Sequence, residues 1–100
     1  MTGVDGKWAI DVATLAGSRR FNLSLSTAGT TLTGTAVGDT GPLTIRNGRA
    51  TGERLEFVLD LVGPIPMSLA FDLRVVGTRM TGTARSGPLP AMTVVGSRGA

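Results

Sequence analysis

The sequence predicts an all-β fold, an eight-stranded antiparallel up-and-down barrel, because it repeats one hairpin motif and alternates apolar with polar residues between glycines. The octapeptide GTTLTGTA at residues 29–36 recurs at residues 77–84 as GTRMTGTA, with six of eight positions identical and an offset of 48. The chain's 15 glycines separate short runs rich in Val, Leu, Phe and Thr, which is typical of strands joined by tight turns. We therefore expect an internal two-fold repeat within a single domain that spans residues 1–100.

Eight strands can be placed in chain order. Each is a run that alternates with period two and ends at a segment containing glycine or proline. The longest apolar run, Leu55 to Val62, also alternates with period two, so it is predicted as a strand and not as a helix. The predicted strands are 6–13, 19–27, 30–37, 41–48, 53–62, 67–76, 79–85 and 91–98.

The turn residues of the two repeated hairpins predict which residues face each other. A two-residue turn at Ala28-Gly29 gives the apolar pairs Leu25–Leu32, Leu23–Gly34 and Phe21–Ala36. A turn at Gly77-Thr78 gives the pairs Val75–Met80, Leu73–Gly82 and Phe71–Ala84. Most of these pairs set a large side chain against a small one, as the interdigitating layers of a narrow closed barrel require.

Two further registers follow from charge and strand length. Between strands 53–62 and 67–76 we predict the pairs Leu61–Leu69, Phe57–Leu73 and Glu56–Arg74, because the alternative places Glu56 beside Asp72. The dipeptide Asn47-Gly48 suits a hairpin turn, but the strand lengths favour a turn at Thr51-Gly52 and a bulge at Asn47-Gly48.

One face of the predicted strands is uniformly apolar and forms the expected core. No ionisable side chain falls on this face, whereas the opposite face carries Ser, Thr, Asp, Glu and Arg. The predicted core residues are Trp8, Ile10, Val12, Phe21, Leu23, Leu25, Leu32, Leu43, Ile45, Leu55, Phe57, Leu59, Leu61, Leu69, Phe71, Leu73, Val75, Met80, Met92 and Val94.

The composition excludes several classes of chemistry. The chain has no Cys, His or Tyr, so it has no thiolate or imidazole metal ligands and no Ser-His-Asp or Cys-His nucleophile system. No two of the seven acidic residues are spaced to enter the core as a glycosidase pair. The glycine-rich turns do not precede a helix and are not phosphate loops. We therefore expect no catalytic residue, no metal and no cofactor.

The net charge of +3 is distributed along the chain. Nine of the ten basic residues are arginines, and none of the four aromatic residues lies between basic residues in a pattern typical of nucleic-acid binding. No apolar run reaches the roughly 18 residues of a membrane span, and the first residues do not form a secretory signal. We therefore expect a cytoplasmic protein without a nucleic-acid or membrane partner.

Short motifs link the chain to known barrels. Gly6-Lys7-Trp8 near the start, and Leu32-Thr-Gly-Thr35 and Met80-Thr-Gly-Thr83 on later strands, resemble the calycin-like barrels, which include lipocalins, fatty-acid-binding proteins and the avidin group. The resemblance implies a meander barrel and carries no particular ligand. The same motifs, with Asn47-Gly48 and Pro66-Met67 between them, also resemble a family of small uncharacterised bacterial β-barrel proteins.

Three functions are compatible with this sequence. The leading hypothesis is a barrel that binds a small apolar molecule at one mouth, where an eight-stranded barrel has room for one ligand. The predicted ligand-binding residues are Trp8, Phe21, Phe57, Met67, Phe71, Met80 and Met92. A cyclase or isomerase acting on a polyketide- or terpenoid-like substrate would use the same interior as a shaped container. A module without a ligand would instead form a homodimer through the outward residues Val58, Val62, Ala70 and Val76.

Overall fold

A computed structural model describes residues 5–14, 17–38, 41–61, 67–87 and 90–98. Within these residues nine segments are β-strands, and none of the described residues forms a helix long and apolar enough to cross a membrane. Every strand end lies within two residues of its predicted position, except that the predicted strand 41–48 is divided. The strands are β1 (Gly6–Thr14), β2 (Gly17–Ala28), β3 (Thr31–Gly38), β4 (Gly41–Thr44), β5 (Arg46–Thr51), β6 (Arg54–Leu61), β7 (Met67–Val76), β8 (Arg79–Arg85) and β9 (Met92–Arg98).

The strands form a closed antiparallel barrel. Consecutive strands are neighbours in the sheet, except β4 and β5, which both pair with β3, and β9 pairs with β1 to complete the ring. Both β4 and β5 lie along β3, and Ile45 between them donates its N–H to the carbonyl oxygen of Gly34 at 3.1 Å. Since β4 and β5 together take one position in the ring, the barrel has eight strands. The predicted fold class is confirmed.

The core lies inside the barrel and consists of apolar side chains. All the predicted core residues are buried except Leu43 and Met92, which are half-buried, and the small residues Ala36, Ala50 and Ala84 join them. Within the described part of the chain no polar or charged side chain is buried. Because full burial of one large apolar side chain stabilises the fold by about 1.5–3 kcal/mol, this interior is the main source of stability.

The hairpins β2–β3 and β7–β8 have the same pairing pattern. The predicted β7–β8 pairs are confirmed, including Leu73 opposite Gly82. The predicted β2–β3 pairs are wrong, because Leu25 lies opposite Gly34 and Leu23 lies opposite Ala36. The turn is formed by residues 29–30, where Gly29 has a φ of +62° that alanine at position 28 would adopt only with strain. Whether the two halves are duplicates of each other stays a prediction.

The predicted register between β6 and β7 is also wrong. Phe57 pairs with Phe71, and Glu56 lies directly opposite Asp72. Two contacts compensate for the like charges. The Phe57 and Phe71 rings stack with their centroids 4.8 Å apart, and the Arg54 guanidinium lies 2.8 Å from Asp72 and 3.6 Å from Glu56. The Arg54 cation, which lies close to both carboxylates, therefore offsets their repulsion in this register.

The bulge at Asn47-Gly48 is confirmed. The β5–β6 register shifts between Arg46 and Arg49, and Asn47 has a φ of 53°. The hairpin turn, however, is at Gly52-Glu53 and not at the predicted Thr51-Gly52. Gly52 takes a φ of +59° at the first turn position, which is the conformation that glycine adopts without strain.

Candidate functional site

Each end of the barrel is defined by the strand connections that lie there. At the end where β1 begins and β9 ends, which we call the turn end, residues 29–30, 52–53 and 77–78 form two-residue turns. At the opposite end, which we call the loop end, the connections include residues 15–16, 39–40, 62–66 and 88–89, which lie outside the described residues. A ligand entering the barrel would pass one of these two ends.

Trp8 lies at the turn end, where its side chain is buried beneath Arg98. The Arg98 guanidinium carbon Cζ lies 4.4 Å from the centroid of the Trp8 ring, and Arg98 Nη1 donates a hydrogen bond to the carbonyl oxygen of Asp5 at 2.7 Å. Asp5 in turn accepts hydrogen bonds from the backbone N–H and hydroxyl of Thr27, at 3.0 and 2.7 Å. Asp5, which precedes β1, therefore connects Arg98 on β9 with Thr27 on β2. These contacts hold Arg98 over the Trp8 ring.

Four of the predicted ligand-binding residues are fully buried in the core, and one of them, Met80, lies beside the turn 77–78. Phe57 and Phe71 form the stacked pair described above, and Phe21 and Met80 are buried on β2 and β8. All four side chains are at most 2% exposed, so a ligand would reach them only by displacing other side chains.

Met67 and Met92 lie at the loop end. Met67 begins β7 opposite Leu61, and Met92 begins β9 opposite Ala84. Both side chains are half-buried and pack against the core. Leu43 on β4 does the same. The structure therefore places Met67 and Met92 at one end and Trp8 at the other, because β9 runs from Met92 to its end at Arg98 beside Trp8. The sequence predicted Leu43 as a core residue and did not indicate that it would lie at this end of the barrel.

The glycines of the two repeated motifs, Gly34 on β3 and Gly82 on β8, lie against the main chain of the neighbouring strand. A Cβ on Gly34 would lie 2.0 Å from the carbonyl oxygen of Ser24, and one on Gly82 would lie 2.0 Å from that of Asp72. Main chain of the neighbouring strand therefore occupies the volume that a side chain would need. Ala36 and Ala84 are fully buried between larger neighbours.

The outer face carries three arginine–aspartate pairs. Arg20 contacts Asp11, Arg46 contacts Asp60, and Arg54 contacts Asp72, at 2.9, 2.6 and 2.8 Å. In each pair, hydrogen bonds from the guanidinium lower the pKa of the aspartate. Asp60 also accepts a hydrogen bond from Ser68 at 2.6 Å, and its pKa falls to about 2. These carboxylates are anionic at neutral pH and cannot act as general acids there.

Two adjoining clefts run across the outer face of the barrel. The larger, of about 460 Å³, is lined by Ala9, Asp11, Arg20, Arg79, Thr81, Val95, Gly96 and Ser97. The smaller, of about 330 Å³, is lined by Arg54, Asp72, Leu73, Arg74, Thr81, Gly82 and Thr83. Thr81 lines both, so the two clefts are adjacent. Sequence reasoning did not find this surface, although Arg74 and Arg79 differ from the small polar residues of the first hairpin.

The outward residues predicted for a homodimer are not all close together. Val58 and Ala70 lie directly opposite each other on β6 and β7. Val76 is 64% exposed but lies six residues beyond Ala70, about 20 Å along the strand. Val62 lies outside the described residues.

The geometry defines the chain as a small closed antiparallel β-barrel with an apolar interior. No family model matches the chain, and no curated protein matches it. Among solved structures, a redesigned β-barrel superimposes with a TM-score of 0.73 over 98% of this chain and 93% of its own length, at 15% sequence identity. That similarity supports the fold. It is compatible with the calycin-like architecture, while membership of a calycin family stays a prediction.

Proposed function

We propose that this protein binds a small neutral apolar molecule at the loop end of the barrel. The observation that carries the proposal is the position of its half-buried inward side chains. The partly buried apolar residues that pack against the core are Leu43, Met67 and Met92, and all three lie near this end. Elsewhere the inward apolar residues of the described strands are buried.

The chemistry of the mouth suits an apolar ligand. Methionine side chains are unbranched and polarisable, so Met67 and Met92 can adapt to ligands of different shape. Behind Met67, the Leu59–Leu69 row and the stacked Phe57–Phe71 pair extend the apolar surface into the barrel. Since no ionisable side chain of the described residues is buried, a charged ligand would not find a partner inside.

The turn end supports the proposal less well. Arg98 lies across the Trp8 ring and is held by the Asp5 carbonyl oxygen, so entry there would require two favourable contacts to break. At the loop end, the described inward side chains of Met67 and Met92 are only half-buried, so a ligand could contact them directly. Trp8 then acts as buried core, and its fluorescence would report ligand binding only indirectly.

Binding of the neutral fluorescent probe N-phenyl-1-naphthylamine tests the proposal. We expect a saturable rise of probe fluorescence with the parent protein and a loss of binding in Met67→Glu and Met92→Glu, because each places a carboxylate at the mouth. Val76→Glu is the matched control, since Val76 is exposed at the turn end and its substitution changes the charge equally. Met67→Leu and Met92→Leu keep the apolar surface of the mouth and should retain binding. Retained binding would show that the added carboxylate, and not substitution of the methionine, causes the loss in the glutamate variants.

Two results would overturn the proposal. One is no saturable probe signal with the folded parent protein. The other is an equal loss of binding in Val76→Glu and in the two methionine variants, because the probe would then bind outside the loop end. An enzyme that folds a linear apolar precursor would use the same mouth, and its distinguishing result is turnover of that precursor by the parent protein.

A further inference from the structure

We propose that Arg74 and Arg79, on the outer face of the barrel, bind the head group of a phosphate monoester whose apolar body lies on Ala9 and Val95. This site is separate from the loop end, and its ligand is anionic where the interior ligand is neutral. The arginines stand on β7 and β8, and both are exposed.

The two arginines are placed to bind one anion together. Arg74 lies directly opposite Thr81, and Arg79 lies two residues before Thr81 on the same outward face. Positions related in this way are diagonal neighbours, with Cβ atoms about 7–8 Å apart, within the reach of long side chains. A guanidinium offers two parallel N–H donors to phosphate oxygens, and two such groups match the charge of a phosphate dianion. Thr81 lies directly opposite Arg74 and two residues after Arg79, so its hydroxyl is available as a third donor.

Neighbouring arginines form salt bridges with carboxylates, whereas Arg79 forms none within the described residues and Arg74 acts on Asp72 only at longer range, as a smaller cause than Arg54 of the lowered pKa of that carboxyl. Arg54 binds both carboxylate oxygens of Asp72, with hydrogen bonds of 3.0 and 2.8 Å, and Arg20 binds Asp11. Arg74 and Arg79 make no salt bridge with any carboxylate of the described residues. Arg54 and Arg74 also lie directly opposite each other, a like-charge pair that destabilises a sheet. The Asp72 carboxylate, which binds Arg54 and attracts Arg74, offsets part of this repulsion, and a bound anion would offset more of it.

The adjoining clefts provide room for the rest of the ligand. Arg74 lines the smaller cleft, Arg79 lines the larger, and Thr81 joins the two. From Arg79, the larger cleft continues over Ala9 and Val95, and Val95 is 49% exposed. An apolar group attached to the phosphate would cover this exposed surface.

The equivalent positions of the first hairpin, β2–β3, carry small polar residues in place of the two arginines. At the offset of 48 that relates the two octapeptides, Arg74 corresponds to Ser26 and Arg79 to Thr31. The two hairpins share their pairing pattern, so these residues occupy equivalent outward positions. Serine and threonine are therefore compatible with this backbone, and the fold does not require the arginines.

Titration of the parent protein with phenyl phosphate, followed by NMR of the arginine Nε–H groups, tests the proposal. At neutral pH the phosphate is close to doubly charged, and we expect saturable shifts of the Arg74 and Arg79 signals in the millimolar range or below. The double variant Arg74→Ser/Arg79→Thr should bind at least about tenfold more weakly, since each lost charged hydrogen bond contributes about a factor of ten or more.

The matched control is Arg49→Ser/Arg85→Thr, which removes the same charge from exposed arginines outside both clefts. This variant should bind phenyl phosphate like the parent. Inorganic phosphate, which lacks the apolar body, should bind more weakly than phenyl phosphate. The proposal is overturned if the control variant loses binding equally, if inorganic phosphate binds as tightly as phenyl phosphate, or if no arginine signal shifts. Loss of naphthylamine binding at the loop end would leave each of these outcomes unchanged.

Discussion

Replacement of Gly82 by alanine should strongly destabilise the barrel. An alanine Cβ at this position would lie 2.0 Å from the carbonyl oxygen of Asp72 and 2.8 Å from Cα of Leu73. Both atoms belong to the main chain of β7, so no side chain can turn away to relieve the contact. The strands would have to separate by more than an ångström, which disrupts the Leu73–Gly82 pairing.

The magnitude follows from the contacts. Overpacking of a core typically costs about 1–3 kcal/mol, and a clash between main chains lies at or above the upper end of that range. For a domain of this size, about 3 kcal/mol lowers the melting temperature by about 12–24 °C. Thermal unfolding followed by circular dichroism, together with urea denaturation, measures both values. Gly34→Ala should behave similarly, because its Cβ would meet the Ser24 carbonyl oxygen at the same distance.

Gly77→Asn is the control for Gly82→Ala. A Cβ at Gly77 meets nothing within 4 Å, and asparagine tolerates the φ of +62° found there. We expect this variant to unfold close to the parent. A cost of Gly82→Ala below about 0.5 kcal/mol, the range of ordinary surface substitutions, would show that the main chain of β7 does not fill this position.

Three other substitutions test contacts of the barrel surface. Arg98→Met should lower stability by about 1–2 kcal/mol and shift Trp8 emission to longer wavelength, since the guanidinium no longer covers the ring; unchanged emission would contradict this. Arg54→Gln should destabilise the barrel more than Arg54→Gln combined with Glu56→Gln, because the second change removes the repulsion that Arg54 compensates; equal unfolding midpoints would contradict this. The pKa of Asp60, about 2 in the folded protein, lies below its unfolded value of about 3.9, so its contribution to stability is present above the unfolded value and is lost as the pH falls through about 2. Asp60→Asn should therefore make the loss of stability between about pH 5 and pH 2 shallower, as acid unfolding curves would show.

The alternation of apolar residues was sufficient to predict the barrel interior. Every inward position from Trp8 to Val12 and from Leu55 to Leu61 is buried, because a strand has only two faces and the polar residues define the outer one. The register of β7–β8 was also predictable, since Gly77 begins the turn. The equivalent Gly29 begins the first turn, but placing the turn one residue early at Ala28 displaced the predicted pairing by two positions.

Interactions among three side chains could not be predicted by pairwise rules. The like-charge pair of Glu56 and Asp72 argued against the observed register, yet Arg54 lies close to both carboxylates. Its position follows from the β6–β7 pairing itself, so it could not be used to choose that pairing.

The separation of the candidate ligand-binding residues between two ends follows from strand direction. Trp8 is near the start of β1, whereas Met92 starts β9, its antiparallel neighbour. The starts of antiparallel neighbours lie at opposite ends of a sheet. Predicting the contact between Arg98 and Trp8 would have required knowing that the last strand pairs with the first. Predicting the pair of Arg74 and Arg79 would have required both the β7–β8 register and the face of β8 that points outward.

Methyl NMR of methionine tests the proposed function most directly. The protein would be labelled at the methionine ε-methyl groups and titrated with N-phenyl-1-naphthylamine, with signals assigned from Met67→Leu and Met92→Leu. We expect the Met67 and Met92 signals to shift saturably, while Met80, which is fully buried and lies beside the turn 77–78 at the opposite end, shifts little. Unchanged Met67 and Met92 signals at probe saturation would contradict a ligand site at the loop end.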